Sequence, residues 1–195
     1  MKKRLFILCI LALATGTLAK AQGRIYAAYK PTVQSIKSDI NSINYMHGLS
    51  IDYTHSLSLS AQIPLNINCG LGFHYLFHGD LDYKERASNI YLPLRLTYGI
   101  QLSKNITISP YAGIYGRYYT HYKITQSRIQ RPPLVINAFD QANGSYSRGL
   151  IGGQIGLMID LPNHFSMELS YGYDFNQLFE SVSIHTLTFG LGYRF

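Results

Sequence analysis

Residues 49–77 alternate without a break. Every odd position is apolar or aromatic except His55, and the even positions between them hold Ser, Asp, Thr, Gln, Pro, Asn, Gly, His and a single Leu. A period of two sends successive side chains to opposite faces of a strand. Strands in soluble domains usually run about 3 to 10 residues, so alternation over 29 residues calls for two long strands joined by a turn that keeps the register. A pair of membrane-spanning strands meets that requirement.

The same period recurs along the chain. Strands are expected at 24–33, 45–58, 66–77, 88–102, 106–124, 148–161, 165–176 and 182–195, and no segment of comparable length carries a helical period. The fold class expected is therefore all-β, an eight-stranded antiparallel up-and-down transmembrane β-barrel. The 195 residues contain no linker, low-complexity tract or internal repeat that would divide them, so one domain is expected. Charged residues make up only 14% of the chain, against about 25% in soluble proteins.

The N-terminus reads as a signal peptide over 1–21. Lys2, Lys3 and Arg4 form a basic start, residues 5–14 an apolar stretch, and Ala19-Lys20-Ala21 supplies small residues for cleavage before Gln22. The barrel domain is then 22–195. Cys9 leaves with the signal and Cys69 stands alone, so no internal disulfide, CxxC motif or zinc constellation is expected, and neither a cofactor nor a metal. Without Lys2, Lys3, Arg4 and Lys20 the mature chain has 13 basic and 10 acidic residues, a net charge of about +3. No dense basic run remains to hold nucleic acid.

The turns centred on 60–62, 103–105 and 162–164 are short, while the connections after the first, third and fifth strands are longer, 125–147 most of all. Short turns on one rim, long loops on the other and both termini on the short-turn rim match outer-membrane barrels, with periplasmic turns and extracellular loops. The placement of charge is the sharper test. From the second strand to the eighth, the apolar parity (Leu49 and Ile51, Leu94, Ile155, Leu169) has no Asp, Glu, Lys or Arg. With Arg148 counted with its loop, every strand charge lies on the other parity: Asp52, Arg95, Arg117, Lys123, Asp160, Glu168, Asp174 and Arg194. A lipid-facing Arg or Lys near the midplane costs about 2–4 kcal/mol, so a spanning barrel keeps charge off its outer wall. A soluble barrel alternates equally well with its apolar face inward. Low charge, small polar residues on the charged parity and aromatics near both strand ends favour polar-in; Tyr75, Phe77, Tyr118 and Tyr122 mark the long-loop girdle, and Tyr98, Phe165, Tyr193 and Phe195 the other.

The chain ends Phe189-Gly190-Leu191-Gly192-Tyr193-Arg194-Phe195. That ending, with Phe189, Leu191, Tyr193 and Phe195 on one parity, resembles the C-terminal signal read by the barrel assembly machinery. With the eight-strand layout, the chain resembles the eight-stranded outer-membrane β-barrel domain family of OmpA/OmpX-like type. The stretches 89–95 and 110–113 look like the fourth and fifth strands of its PorT-like branch, although Tyr91 stands where an acidic residue is expected. The resemblance implies a Gram-negative outer-membrane location and no catalytic pattern.

Eight strands enclose an interior that side chains fill, so the reading from sequence is a structural or surface-interaction barrel with its lumen closed by polar and salt-bridged side chains. The expected partners are outer-membrane lipid and lipopolysaccharide, the assembly machinery, and an extracellular ligand met through the loops. Lys37, Lys84, Arg86, Arg128, Arg131 and Arg148 lie in or beside those loops, to keep them solvated or to meet lipopolysaccharide phosphates. The alternatives are a narrow porin, a component of a secretion assembly, or a lipid-modifying enzyme. The groups open to the last are His74 and His78 with Asp80 or Asp82, and Ser183 with His185.

Overall fold

The computed structural model describes residues 22–36, 43–60, 62–80, 82–128, 131–140, 147–178 and 182–195. The expected signal peptide, 1–21, lies outside the described residues. In chain order the strands are β1 (Gln22–Tyr29), β2 (Thr32–Ile36), β3 (Ile43–Ser58), β4 (Leu65–Gly79), β5 (Tyr83–Tyr98) and β6 (Ile100–Ser103). They continue as β7 (Ile106–Arg128), β8 (Arg131–Asn137), β9 (Gly149–Asp160), β10 (Phe165–Asp174) and β11 (Val182–Arg194).

These pieces form an antiparallel ring of eight staves. Both β1 and β2 pair with β3 on one side and β11 on the other, so they are two halves of one stave, interrupted at Lys30 and Pro31. Proline has no N–H for the ladder, which accounts for the break. β6 continues β5 beyond Gly99 and pairs with the start of β7, and β8 folds back on the far end of β7. Around the ring, β3, β4, β5, β7, β9, β10 and β11 follow the broken first stave, and β11 returns to it. Closure leaves the ring no unpaired edge. The last residue completes it: Phe195 and Gly23 exchange backbone hydrogen bonds of 3.0 and 3.2 Å. The Phe195 ring lies where a Cβ on Gly23 would sit, so a side chain there would displace the ring.

The side chains are arranged inside out relative to a soluble barrel. Ile51 and Ile155 are 67% and 62% exposed, whereas Asp52 is 5% and Arg95 3% exposed. Apolar side chains therefore face outward across the middle of the wall, and the charged parity fills the lumen.

The strands extend further on one rim than their pattern indicates. The connection after β4 is not long: Gly79 and Tyr83 bound a tight hairpin, with Asp80 N–H donating to the Tyr83 carbonyl at 2.7 Å. β7 runs 23 residues, roughly twice the 9–11 that cross a bilayer. The ends of β4, β5 and β7, with β8, thus form an extension beyond the span. On the other rim the β9–β10 turn holds Asn163 and His164 at φ 60° and 67°, the left-handed region in which Asn and His are the commoner non-glycine residues.

A bulge lies where the wall leaves the span. Ser88 pairs with His121 but Asn89 pairs with Tyr119, leaving Thr120 as the extra residue. An extra residue reverses the parity of everything after it. Tyr119 and Tyr122 therefore both point inward, and Lys123 is exposed on the outside. This corrects two expectations: Lys123 is not a lumenal charge, and Tyr122 is not a girdle residue.

Candidate functional site

The lumen is filled in tiers. At the short-turn rim Arg24 donates to Asp160 at 2.9 Å, and Arg194, directly opposite Arg24 across the β1–β11 ladder, approaches the same carboxylate at 3.3 Å. Above them Arg95 pairs with Glu168, reaching Oε1 at 3.0 Å and Oε2 at 3.2 Å, and the Tyr111 hydroxyl donates to Oε1 as well, at 2.7 Å. The Arg95 guanidinium lies 4.6 Å from the Tyr111 ring centre. Asp174 accepts from the Tyr115 hydroxyl at 2.5 Å and faces Arg117 at 3.5 Å.

Asp52 stands in a separate cluster. Lys30 Nζ is 2.8 Å from Asp52 Oδ2, Ser50 donates to the same oxygen at 2.8 Å, and His74 Nε2 lies 2.9 Å from both Asp52 Oδ1 and Lys30 Nζ. The break at Pro31 directs Lys30 into the lumen; its side chain is 3% exposed. Higher still, Glu85 accepts from the hydroxyls of Tyr122 and Tyr83.

Of the charges expected in the lumen, Asp52, Arg95, Arg117, Asp160, Glu168 and Asp174 are buried there, Arg194 sits half-buried at its rim, and Lys123 is outside. Sequence reasoning did not assign Arg24, Lys30, His74 or Glu85 to this interior. Among the described residues five cations (Arg24, Lys30, Arg95, Arg117, Arg194) then face five anions (Asp52, Glu85, Asp160, Glu168, Asp174). The alternation carries Arg24 and Glu85, both on the inward parity of their strands, but they stand at strand ends where polar residues also read as turns. Lys30 falls in the expected strand 24–33 on the parity of Arg24, although in the structure it stands at the break between β1 and β2.

Between these tiers the space nearly vanishes. The central cavity beside Lys30, His74, Tyr91, Tyr115, Arg117 and Gln154 is about 10 Å³, about the room one water needs. Glycine makes this filling possible: a Cβ on Gly152 would collide with the Tyr115 ring. A larger polar cavity of about 260 Å³ lies nearer the short-turn rim, between Arg24, Ser56, Asn68, Thr97 and Met158.

The opposite mouth carries an apolar cap. Met46, Leu76, Tyr119, Tyr122, Leu150 and Ile184 from the wall pack with Ala138 from the segment after β8 and Leu178 from the β10–β11 connection, all at most 3% exposed. Phe139 packs against this cluster from the side, with Arg148 4.5 Å above its ring centre.

The groups considered for lipid chemistry are placed apart. His74 meets Asp52 and Lys30, not Asp80 or Asp82, while His78 is outside the cluster against the Tyr83 ring. Ser183 is buried, and His185 bonds the exposed Tyr171 hydroxyl at 2.6 Å. On the outer wall Phe189, Leu191, Tyr193 and Phe195 are 50–65% exposed, and Phe195 stacks on Tyr53 with ring centres 6.4 Å apart.

A closed eight-stave ring with an apolar exterior and an ion-paired interior is the architecture of a small membrane-spanning barrel. The chain belongs to the outer membrane protein beta-barrel domain family. The match covers residues 5–195. Among solved structures the chain is similar to Ail, the attachment invasion locus protein of Yersinia pestis, at 13% identity and TM-score 0.56, over 90% of this chain and 99% of that one. It is likewise similar to Ail in complex with the heparin analogue sucrose octasulfate, at 12% identity and TM-score 0.54, with the same coverage. Neisserial surface protein A aligns at 10% identity and TM-score 0.49, over 88% of this chain and 95% of that one. At such identities the likeness is one of fold. Comparison with curated protein sequences finds no match.

Proposed function

We propose that this outer-membrane barrel is a structural and surface-interaction protein, not a conduit. The carrying observation is the combination of a central cavity of about 10 Å³ with ion pairs below it and an apolar cap above. A solute would have to separate buried charge pairs, and an unpaired buried charge costs several kcal/mol. In planar bilayers the wild type is expected to be silent at neutral pH, with leak appearing in Glu168→Ala and Arg117→Ala. Large, steady wild-type channels would overturn the reading in favour of a porin.

Both termini are read as periplasmic, after export directed by residues 1–21, which leaves the extension of β4, β5, β7 and β8 facing the exterior. Loops and strand ends held on a rigid wall are a common place for recognition, and Ail has been solved holding a heparin analogue. The extension is the surface on which an extracellular ligand would be met. The exposed C-terminal row Phe189, Leu191, Tyr193 and Phe195 is read as the element the assembly machinery recognises. No enzymatic role is assigned. The placement of His74 with Asp52 and Lys30 favours a closed, ion-paired interior, because the Ser50 hydroxyl is engaged by Asp52 instead of the imidazole.

A further inference from the structure

The lumen and the extension treat cations differently. The ion pairs among the described residues lie within the lumen or at its lower rim, and none involves Lys84, Arg86 or Lys123. Those three are exposed on the outer face of β5 and β7. Arg86 and Lys123 are moreover direct cross-strand partners. Cβ atoms of directly opposed residues stand about 5 Å apart, and like charges in that relation are destabilising. The bulge at Thr120 creates this pair, since without the extra residue Lys123 would point into the barrel.

Their position on the wall identifies the counter-ion. Passing up the outer face of these two strands, Ile90 and Tyr118 come first, 38% and 51% exposed. Ser88 and Thr120 follow, with their hydroxyls 2.8 Å apart. Arg86 and Lys123 are next, then Lys84 opposite Thr125. Lipid-facing side chains thus give way to hydroxyls and then to cations within a few residues. That is the order of a bilayer leaflet passing from acyl chain to headgroup. Asp80 and Asp82 stand further out at the hairpin tip, and Glu85 is turned inward to Tyr122.

We propose that Arg86, Lys123 and Lys84 form a docking site for the phosphates of a phosphorylated lipid in the leaflet at the long-loop rim. The guanidinium offers a planar fork for two phosphate oxygens and the ammonium groups add mobile donors. The shared anion removes the repulsion between Arg86 and Lys123. A lipid is favoured over a free polyanion because the patch continues the lipid-facing wall without interruption. Assignment to the outer leaflet rests on the orientation proposed above.

The test uses the refolded chain in detergent micelles, with diphosphoryl lipid A as the probe and native mass spectrometry as the readout. Wild type is expected to retain the lipid, Arg86→Gln/Lys123→Gln to lose at least tenfold in retention, and Arg86→Lys/Lys123→Arg to keep it. Lys104→Gln, on the opposite rim, is the control and should match wild type. Dephosphorylated lipid A should be retained no better by wild type than by the double variant. Undiminished retention in Arg86→Gln/Lys123→Gln, with normal heat-modifiable mobility, would overturn the site, as would equal retention of the dephosphorylated lipid. Orientation is read separately by labelling Lys123→Cys, in a Cys69→Ser background, on intact cells. Absent surface labelling together with lipid retention in micelles would overturn the orientation and leave the headgroup site standing.

Discussion

Below Thr120 the barrel keeps its charges inside and its apolar residues outside; above it cations stand on the outer face and apolar side chains enter the interior, where Glu85 stays buried against the Tyr122 hydroxyl. Arg117 is buried against Asp174 while Tyr118 faces outward, yet five residues later Tyr122 is buried in the apolar cap and Lys123 is exposed. One chain therefore obeys two solvents. Within the span lipid sets the outer face and polar groups must find partners in the lumen. Beyond it water wets the outer face, and the interior reverts to the apolar packing of a soluble domain. A single bulged residue makes the change without a break in the β5–β7 ladder.

The comparison is broken most forcefully inside the span. Glu168→Ala leaves Arg95 buried without its carboxylate, and Arg117→Met does the same to Asp174. Removing one partner of a buried pair costs about 3–5 kcal/mol. Reversible urea unfolding in lipid bilayers should show that loss for each. Replacing both members, as in Arg95→Met/Glu168→Leu, should recover much of it; a double variant as unstable as Glu168→Ala would show that the cost is not one of unpaired charge.

The next effect separates the two outer surfaces. Leu94 and Val135 are 48% and 52% exposed, so exposure alone treats them alike. Leu94 is placed mid-span, where an Arg costs about 2–4 kcal/mol, and Val135 lies on β8 above it. Leu94→Arg should lower folding stability in bilayers by that amount, and Val135→Arg should leave it within about 0.5 kcal/mol. Similar losses at both sites would mean that β8 also touches lipid.

A smaller effect is expected in the cap. Leu178 reaches the cluster from the β10–β11 connection, and Leu→Ala in a packed core costs about 2–5 kcal/mol. At the open end of a barrel the neighbours can close up, so Leu178→Ala should fall near about 2 kcal/mol. Hydrogen exchange should quicken in the extension and stay unchanged in β9 and β10 below it. Uniform quickening would show that cap and span unfold as one unit.

How far these features were legible in the sequence follows from the same contrast. Residues 49–77 could be read because lipid and lumen constrain opposite parities of the same strands. The ends of β4 and β5 were read as loop, since above the span Lys84 and Arg86 belong on the outer face and the apolar-out signal disappears. Tyr118, Tyr119 and Tyr122 put aromatics on both parities around the bulge, which hides the slip at Thr120. The Lys30–Asp52–His74 cluster was invisible for another reason: its members come from a strand break, β3 and β4, and the register between these neighbouring staves, which no single strand's alternation carries, brings them together.

The smallest expected effect tests the bulge itself. By strict alternation Arg117 and Lys123 share a parity, so a chain without the bulge would bury both and lose similar stability when either was neutralised. With Thr120 bulged, Lys123 is a solvated cation opposite Arg86. In bilayers lacking phosphorylated glycolipid, Lys123→Met should change stability by less than about 0.5 kcal/mol, as surface substitutions do, and should be neutral or slightly stabilising because it relieves the repulsion with Arg86. Arg117→Met, measured alongside, supplies the cost of a lumenal cation. A loss at Lys123 approaching that at Arg117 would place its ammonium inside the barrel and remove the bulge, and with it the outer cation pair on which lipid docking depends.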